Sequence, residues 1–260
     1  EVDLDRWTSV GVIFLIVGIP VALIGAEPAV GTALVFLPTA FAMMFVARVA
    51  NKVLVTIVVT VAAFIVLALA VIFVPAQLGC SEKTQTLILK CVGLKPYHMK
   101  RIVSHFLPGR DPTGADWNQR QSVMAVGSGG IYGKGYLNGR AKNLGYLPTP
   151  VAPTDFIFSV LSEEEGFLGS TAALLLFVVL IATGLWTAAT AIDPLGRLLC
   201  VGVTTLIFVH VFINVAMTMG ILPVAGLPLP LMSSGGSFLI SMMAGLGLIQ
   251  SVHVRRRYVR

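Results

Sequence analysis

The chain has 260 residues, 56% of them hydrophobic and 12% charged, with a mean hydropathy of +0.89 and a formal net charge of +6. Ordinary soluble domains carry about 45–50% apolar and about 25% charged residues, so these values exclude a disordered chain and argue against a water-soluble globular one. The excess of 18 Lys and Arg over 12 Asp and Glu does not read as a nucleic-acid binder in so apolar a chain, and three cysteines are too few for a disulfide scaffold.

A helix that crosses about 30 Å of hydrocarbon needs about 20 mostly apolar residues. Six stretches fit that length, at 7–26, 29–47, 53–74, 167–190, 197–219 and 231–253, and most have no charge in their interiors. The expected fold is therefore an all-α polytopic membrane protein with six transmembrane helices. The sequence opens at Glu1 without an initiator Met or a signal-peptide pattern, which reads as one membrane domain, 1–260, belonging to a longer chain. Between the third and fourth stretches, residues 76–165 hold most of the polar content. That is too long for a plain connector and reads as a functional loop.

The short connections set the orientation. One set carries Arg6, Arg48, Lys52, Arg197, Arg255, Arg256, Arg257 and Arg260, while the other, around Glu27 and at 221–230, carries no Lys or Arg. Basic residues concentrate on the cytoplasmic side, so both ends are expected there and the long loop outside. The loop's ten Lys/Arg do not oppose this, because long loops translocate largely regardless of charge. Cys80 and Cys91 fall in this loop and read either as a disulfide or as two free thiols, whereas Cys200 sits in an apolar stretch as a small hydrophobe.

Ionisable groups near membrane depth are functional candidates. Glu27 lies at the outer turn between the first two stretches, either as a functional carboxylate or as a headgroup-level residue beside Pro28. Within the loop, Gly127-Ser128-Gly129-Gly130 reads as a plain turn or as an anion-binding nest of backbone amides, with Lys134 close behind as a point charge suited to phosphate. No Gly-Lys-Ser/Thr follows, which disfavours a nucleotide site. Asp155 stands where polar loop meets apolar segment. It reads as a helix N-cap, which the spacing alone favours, or as a partly desolvated general base. Glu163 and Glu164 read as ion-pair partners of loop cations or as a solvated face. The Pro- and Gly-rich run 220–237 predicts non-helical backbone near membrane depth, tolerated only when buried in protein or lining a cavity. Asn214, within the fifth stretch, is expected to pack by hydrogen bonding across helices or to line that cavity.

Taken in order, Arg110-Asp111-Pro112, Gln121-Ser122, Gly127-Ser128-Gly129-Gly130, Gly133-Lys134-Gly135, Thr154-Asp155-Phe156-Ile157-Phe158, Glu163-Glu164 with Gly166-Phe167, and Gly220-Ile221-Leu222-Pro223 through to Ser233-Ser234-Gly235-Gly236-Ser237 resemble the SEDS family of shape, elongation, division and sporulation proteins. Gly133-Lys134-Gly135-Tyr136-Leu137-Asn138-Gly139 is most similar to its elongation-specific, RodA-like branch. The resemblance implies a ten-helix protein whose last six helices are present here. It departs at Ala29, where the family has Asp, at 147–155, which is two residues longer than the family's Leu-Pro-Glu-x-His-Thr-Asp and lacks its Glu and His, and at Ser234, where the family has Tyr.

The activity implied is a peptidoglycan glycosyltransferase polymerising lipid II in the bacterial cytoplasmic membrane during cell elongation. The family's catalytic Asp corresponds to Asp155, expected as general base with polyprenyl pyrophosphate leaving. Arg101, Lys134, Gln121, Ser122, Ser128, Gly129, Glu164 and Glu27 are the expected substrate-binding residues, and a divalent cation (Mg or Mn) would be a suitable cofactor. The implied partners are a class B penicillin-binding protein (the transpeptidase) and the elongation complex, with no nucleic acid. The alternative is a transporter or flippase for a lipid-linked cell-wall precursor, disfavoured because the motifs cluster in one outer loop and no inverted repeat is found.

Overall fold

The computed structural model describes residues 30–77, 115–139 and 153–255, together with isolated positions at 11–24 and at 105. Six helices lie within these segments: α1 (Val30–Val46), α2 (Asn51–Gln77), α3 (Ala115–Ser128), α4 (Ile157–Thr190), α5 (Pro194–Thr218) and α6 (Gly236–Arg255). No strand occurs among the described residues. Of the first predicted stretch, 7–26, only scattered positions are described, and all of them are helical.

Three of the helices, α4, α5 and α6, are long and apolar enough to cross a membrane, and shorter apolar helical stretches cover Leu34–Val46 and Asn51–Leu67. The chain is a membrane protein, and its surface agrees: Leu175, Leu176, Val178, Val179 and Trp186 of α4 all point outward. In water such a patch would demand a partner. In hydrocarbon it is the ordinary outer face of a helix whose backbone polar groups are satisfied internally.

Each short connection follows from local chemistry. The first helix ends on Arg48 at φ 60, and the Val49 amide reaches back to the Met44 carbonyl at 3.2 Å, closing the last turn in the left-handed manner. The α4–α5 turn is set by Asp193-Pro194. Asp193 Oδ2 accepts the Gly196 amide at 3.0 Å, and the proline occupies the first turn, where its missing N–H costs nothing.

Helix α5 is the centre of the bundle and packs against α4, α1, α6 and α3. Its Ile207 and Val211 meet Phe158 and Phe177 of α4, Met242 of α6 and Leu229 of the α5–α6 loop in one buried cluster. On its other side Val209 packs with Val35 of α1 and Leu227 of the same loop. The non-helical run 224–230 is therefore packed within protein, with Leu227 and Leu229 almost fully covered, while Ile221 at its entry is exposed. This is one of the two settings in which irregular backbone is tolerated at such depth.

The stretch 76–165, read as a functional loop, contains α3 and the first turns of α4. Helix α4 begins at Ile157, ten residues before the apolar stretch starts, since three consecutive glutamates there lowered the local hydropathy. Two of them, Glu163 and Glu164, are buried, so of the two readings open for them the solvated face falls, while Glu163 pairs with the loop cation Lys134.

Candidate functional site

Helix α4 is interrupted at Gly166, whose φ of 66 and ψ of −162 lie outside helical space. That conformation is essentially reserved for glycine. The break leaves carbonyls before it and amides after it without intrahelical partners, and the turn following α3 supplies them. Lys134 N donates to Glu163 O at 3.0 Å and Gly135 N to Glu164 O at 2.9 Å; in return Phe167 N donates to Gly130 O at 2.8 Å and Leu168 N to Ile131 O at 3.2 Å. Four backbone hydrogen bonds thus lace residues 130–135 to 163–168.

The lacing places Lys134 over the buried face of α4. Its Nζ donates to Glu163 Oε1 at 2.6 Å and to Ser128 Oγ at 2.7 Å. Ser128 Oγ in turn donates to Ala125 O at 2.9 Å, which ties the ion pair to the end of α3. Glu164 is buried beside the pair, and Gly139 lies close against both carboxylates. The structure thus brings Ser128, Gly129, Lys134, Glu163 and Glu164 together. It does not open the 127–130 amides as a nest, because Gly127 and Ser128 are inside α3 and Gly129 N turns back to Val126 O.

Gln121 and Ser122 lie elsewhere, at the junction of α3, α4 and α5. Ser122 is fully buried; its Oγ is 2.6 Å from Ser159 Oγ and donates to Thr218 O at 2.8 Å. Gln121 is buried as well. The neighbouring Gln119, not singled out from sequence, donates Nε2 to Leu222 O at 2.7 Å. These residues fasten the polar helix α3 to the end of α5.

Asp155 is half-buried on the turn that leads into α4. It is not the helix cap: the N-cap position is Phe156, and no side chain caps the helix there. Three consecutive carbonyls of this turn accept hydrogen bonds from the α5–α6 region. Ser234 N donates to Pro153 O at 3.0 Å, Ser233 Oγ to Thr154 O at 2.6 Å, and Asn214 Nδ2 to Asp155 O at 2.9 Å. Asn214, expected from the sequence to hydrogen-bond across helices or to line a cavity, bonds to the carbonyls of two irregular segments; the contact of Ser233 with this turn was not foreseen from sequence. Asp155 just precedes α4, and Glu163 lies six residues beyond its first residue Ile157, about 9 Å along the helix axis, so both belong to the same end of α4.

Arg101, Glu27, Cys80, Cys91 and the Arg110-Asp111-Pro112 run lie outside the described residues. As to a divalent cation, no three His, Cys, Asp or Glu side chains converge among the described residues. Glu163 is moreover already neutralised by Lys134, so the described part of the site does not fit a bound metal. Two cavities, of about 670 and 430 Å³, lie at the opposite end of the bundle, one between α4 and α6 around Thr187 and His253, the other around Asp193 and Arg255.

Comparison with known proteins is specific. The family described as "Cell cycle protein", FtsW/RodA/SpoVE, matches residues 2–258. The peptidoglycan glycosyltransferase MrdB of Escherichia coli (strain K12) is 37% identical over 249 residues, which cover 96% of this chain and 61% of that protein. The peptidoglycan glycosyltransferase RodA of Treponema pallidum is 33% identical over 306 residues, covering 98% of this chain and 70% of its own. A chain from a peptidoglycan synthase complex, solved to describe the coordination of polymerization and crosslinking, superposes with a TM-score of 0.67 at 29% identity, over 96% of this chain and 63% of that one. The chain thus spans about three fifths of the length of the E. coli relative.

Proposed function

Because the chain belongs to the FtsW/RodA/SpoVE family, we propose that the protein it forms is a peptidoglycan glycosyltransferase that polymerises lipid II during cell elongation. The observation that carries this reading is the placement of Asp155, a half-buried carboxylate on a turn whose backbone is held by three hydrogen bonds at the mouth of an apolar helix bundle. A general base needs that combination of fixed position and partial access.

In this reading Asp155 takes the proton of the acceptor sugar's 4-hydroxyl. The oxygen attacks the donor's anomeric carbon, and the bond to polyprenyl pyrophosphate breaks with inversion. The negative charge that develops on the leaving pyrophosphate needs cationic partners. Lys134 uses two of its three N–H donors on Glu163 and Ser128, which leaves the third to face a phosphate. Arg101 is the second proposed cation. Glu27 remains a proposed substrate contact, and Glu164 one that acts through the Lys134 cluster. Gln121, Ser122, Ser128 and Gly129 serve by holding α3 and its turn in place. The lipid tail would lie along the apolar helices.

The same reading places the protein in the bacterial cytoplasmic membrane, with Arg48, Lys52, Arg197 and Arg255 on the cytoplasmic side and Asp155 outside. A class B penicillin-binding protein within an elongation complex is the proposed partner, since polymerised strands need crosslinking.

The test is polymerisation of purified lipid II by the full-length protein and by Asp155→Asn. Glycan chains on a gel from the parent and none from a folded Asp155→Asn are expected. Full polymerisation by the variant would remove Asp155 from its role, and movement of intact lipid between leaflets without glycan formation would make the protein a flippase.

A further inference from the structure

The two peptide planes that meet at the Cα of Asp155 are each held by a side chain from the α5–α6 half of the bundle. The preceding plane carries Thr154 O, which accepts from Ser233 Oγ at 2.6 Å; the following plane carries Asp155 O, which accepts from Asn214 Nδ2 at 2.9 Å. Peptide units are rigid, so fixing both planes fixes φ and ψ of the residue between them. The direction in which the Asp155 side chain leaves the backbone is set by these two bonds.

Both holding groups are themselves over-determined. Ser233 Oγ also accepts Leu229 N at 2.7 Å, and Asn214 Nδ2 spends its second proton on Leu227 O at 2.6 Å. Asn214 is fully buried near the C-terminal end of α5, and its bond to Leu227 O is shielded from water. Ser233 is buried too. A buried primary amide is costly unless its polar atoms are satisfied; here both donors go to carbonyls, one of the loop and one of Asp155 itself, while Oδ1 has no partner among the described residues, so the fold bears a cost to keep the two donors in place. Helix α5 needs neither bond for its own backbone ladder. The arrangement serves the two irregular segments that meet in front of it.

We infer that Asn214 and Ser233 are positioning residues for the Asp155 carboxylate, holding it in register with the bound sugars from the α5–α6 half of the bundle. The inference rests on the proposed role of Asp155 as general base. A misplacement of about 1 Å at a reacting group can cost as much as a hundredfold in rate while leaving ground-state binding in place. The signature is therefore a fall in kcat with little change in KM.

The experiment measures kcat and KM for lipid II polymerisation in the full-length protein for Asn214→Leu, Ser233→Ala, Ser233→Thr and Asp155→Asn, with thermal midpoints in the same detergent. Met217→Ala, equally buried on α5 but offering no side-chain hydrogen bond, serves as a stability control. Asn214→Leu and Ser233→Ala are expected to lower kcat about tenfold or more with KM within about twofold of the parent. Ser233→Thr, which keeps the hydroxyl, should recover most of that loss. Met217→Ala should lower the midpoint without the same fall in kcat. If Asp155→Asn is inactive while Asn214→Leu and Ser233→Ala keep parental kcat, or if their losses match Met217→Ala at equal thermal stability, the positioning role is overturned. Full activity of Asp155→Asn would instead strike the reading of the base on which the inference stands.

Discussion

Lys134 Nζ lies 2.6 Å from Glu163 Oε1, and the two partners are unequally covered: the Lys134 side chain is 28% exposed, the Glu163 side chain 2%. That asymmetry predicts unequal costs. Lys134→Met leaves a carboxylate buried without its counter-charge, which is expected to destabilise the fold by about 3 kcal/mol. Glu163→Gln keeps an acceptor oxygen and leaves an ammonium that reaches water and Ser128, at about 1 kcal/mol. Thermal unfolding in detergent of the two variants and of the double variant checks this. Equal losses, or losses that simply add in the double variant, would show that the pair is not coupled.

The lacing of 130–135 to 163–168 makes a sharper prediction about two glycines. A Cβ on Gly166 would stand 2.3 Å from Gly133 N in a backbone conformation that L residues avoid. Both the strain and the collision with main chain oppose Gly166→Ala, which is expected to cost more than about 4 kcal/mol and to yield little folded protein. Gly127→Ala is the counterpart: it lies within α3 and its Cβ would meet nothing within 4 Å. There the change removes unfolded-chain freedom and should stabilise by about 0.5 kcal/mol. Yield of monodisperse protein and its thermal midpoint read both outcomes, and a well-folded Gly166→Ala would count against the break as drawn.

How far this could be read from the sequence depended on whether a feature is local. The apolar runs at 29–47, 197–219 and 231–253 were legible because hydrocarbon imposes contiguity, and α1, α5 and α6 follow them within a few residues. The start of α4 was not legible: Glu163 and Glu164 look like a solvated stretch until the Gly129–Gly135 turn is folded over them, and that contact spans about thirty positions of sequence. Helix α3 was hidden for the same reason, its apolar periodicity being weak and its polar side chains satisfied from afar, Gln119 by the α5–α6 loop and Ser122 by α5 and α4. Asp155 was singled out by its place at a polar–apolar boundary and by resemblance. The cap role that local spacing favoured failed because α4 begins one residue further on, with Phe156 at the cap position. Asn214 was visible as an oddity in an apolar helix, but its partner carbonyl belongs to a turn 59 residues earlier, which no local pattern encodes.

The α4–α5 turn gives a local test of helix capping. Asp193 Oδ2 accepts Gly196 N at 3.0 Å, with Pro194 just inside the helix. Asp193→Ala removes that acceptor and should cost about 1 kcal/mol. Asp193→Asn keeps an acceptor oxygen and loses only the charge next to the helix N-terminus, so it should stay within about 0.5 kcal/mol of the parent. Thermal midpoints of the pair separate the hydrogen bond from the charge; an Asn variant as unstable as the Ala variant would assign the effect to charge.

Thr204 gives the opposite sign. Its Oγ1 is fully covered and has no hydrogen-bond partner among the described residues, and it sits where α5 meets α4 so closely that a Cβ on Gly184 would lie 2.3 Å from it. A hydroxyl removed from solvent without a partner is a net cost to the fold. Thr204→Val keeps the branched shape and replaces that hydroxyl with a methyl group, so it is expected to stabilise by about 1 kcal/mol. Ser122→Ala supplies the contrast, since the Ser122 hydroxyl bonds both Ser159 Oγ and Thr218 O. Its loss leaves a buried carbonyl short of a donor and should cost about 1–3 kcal/mol. Thermal midpoints that move in opposite directions for the two variants are the expected result. A Thr204→Val variant that melts lower would mean that the hydroxyl is satisfied after all and that the α4–α5 contact depends on it.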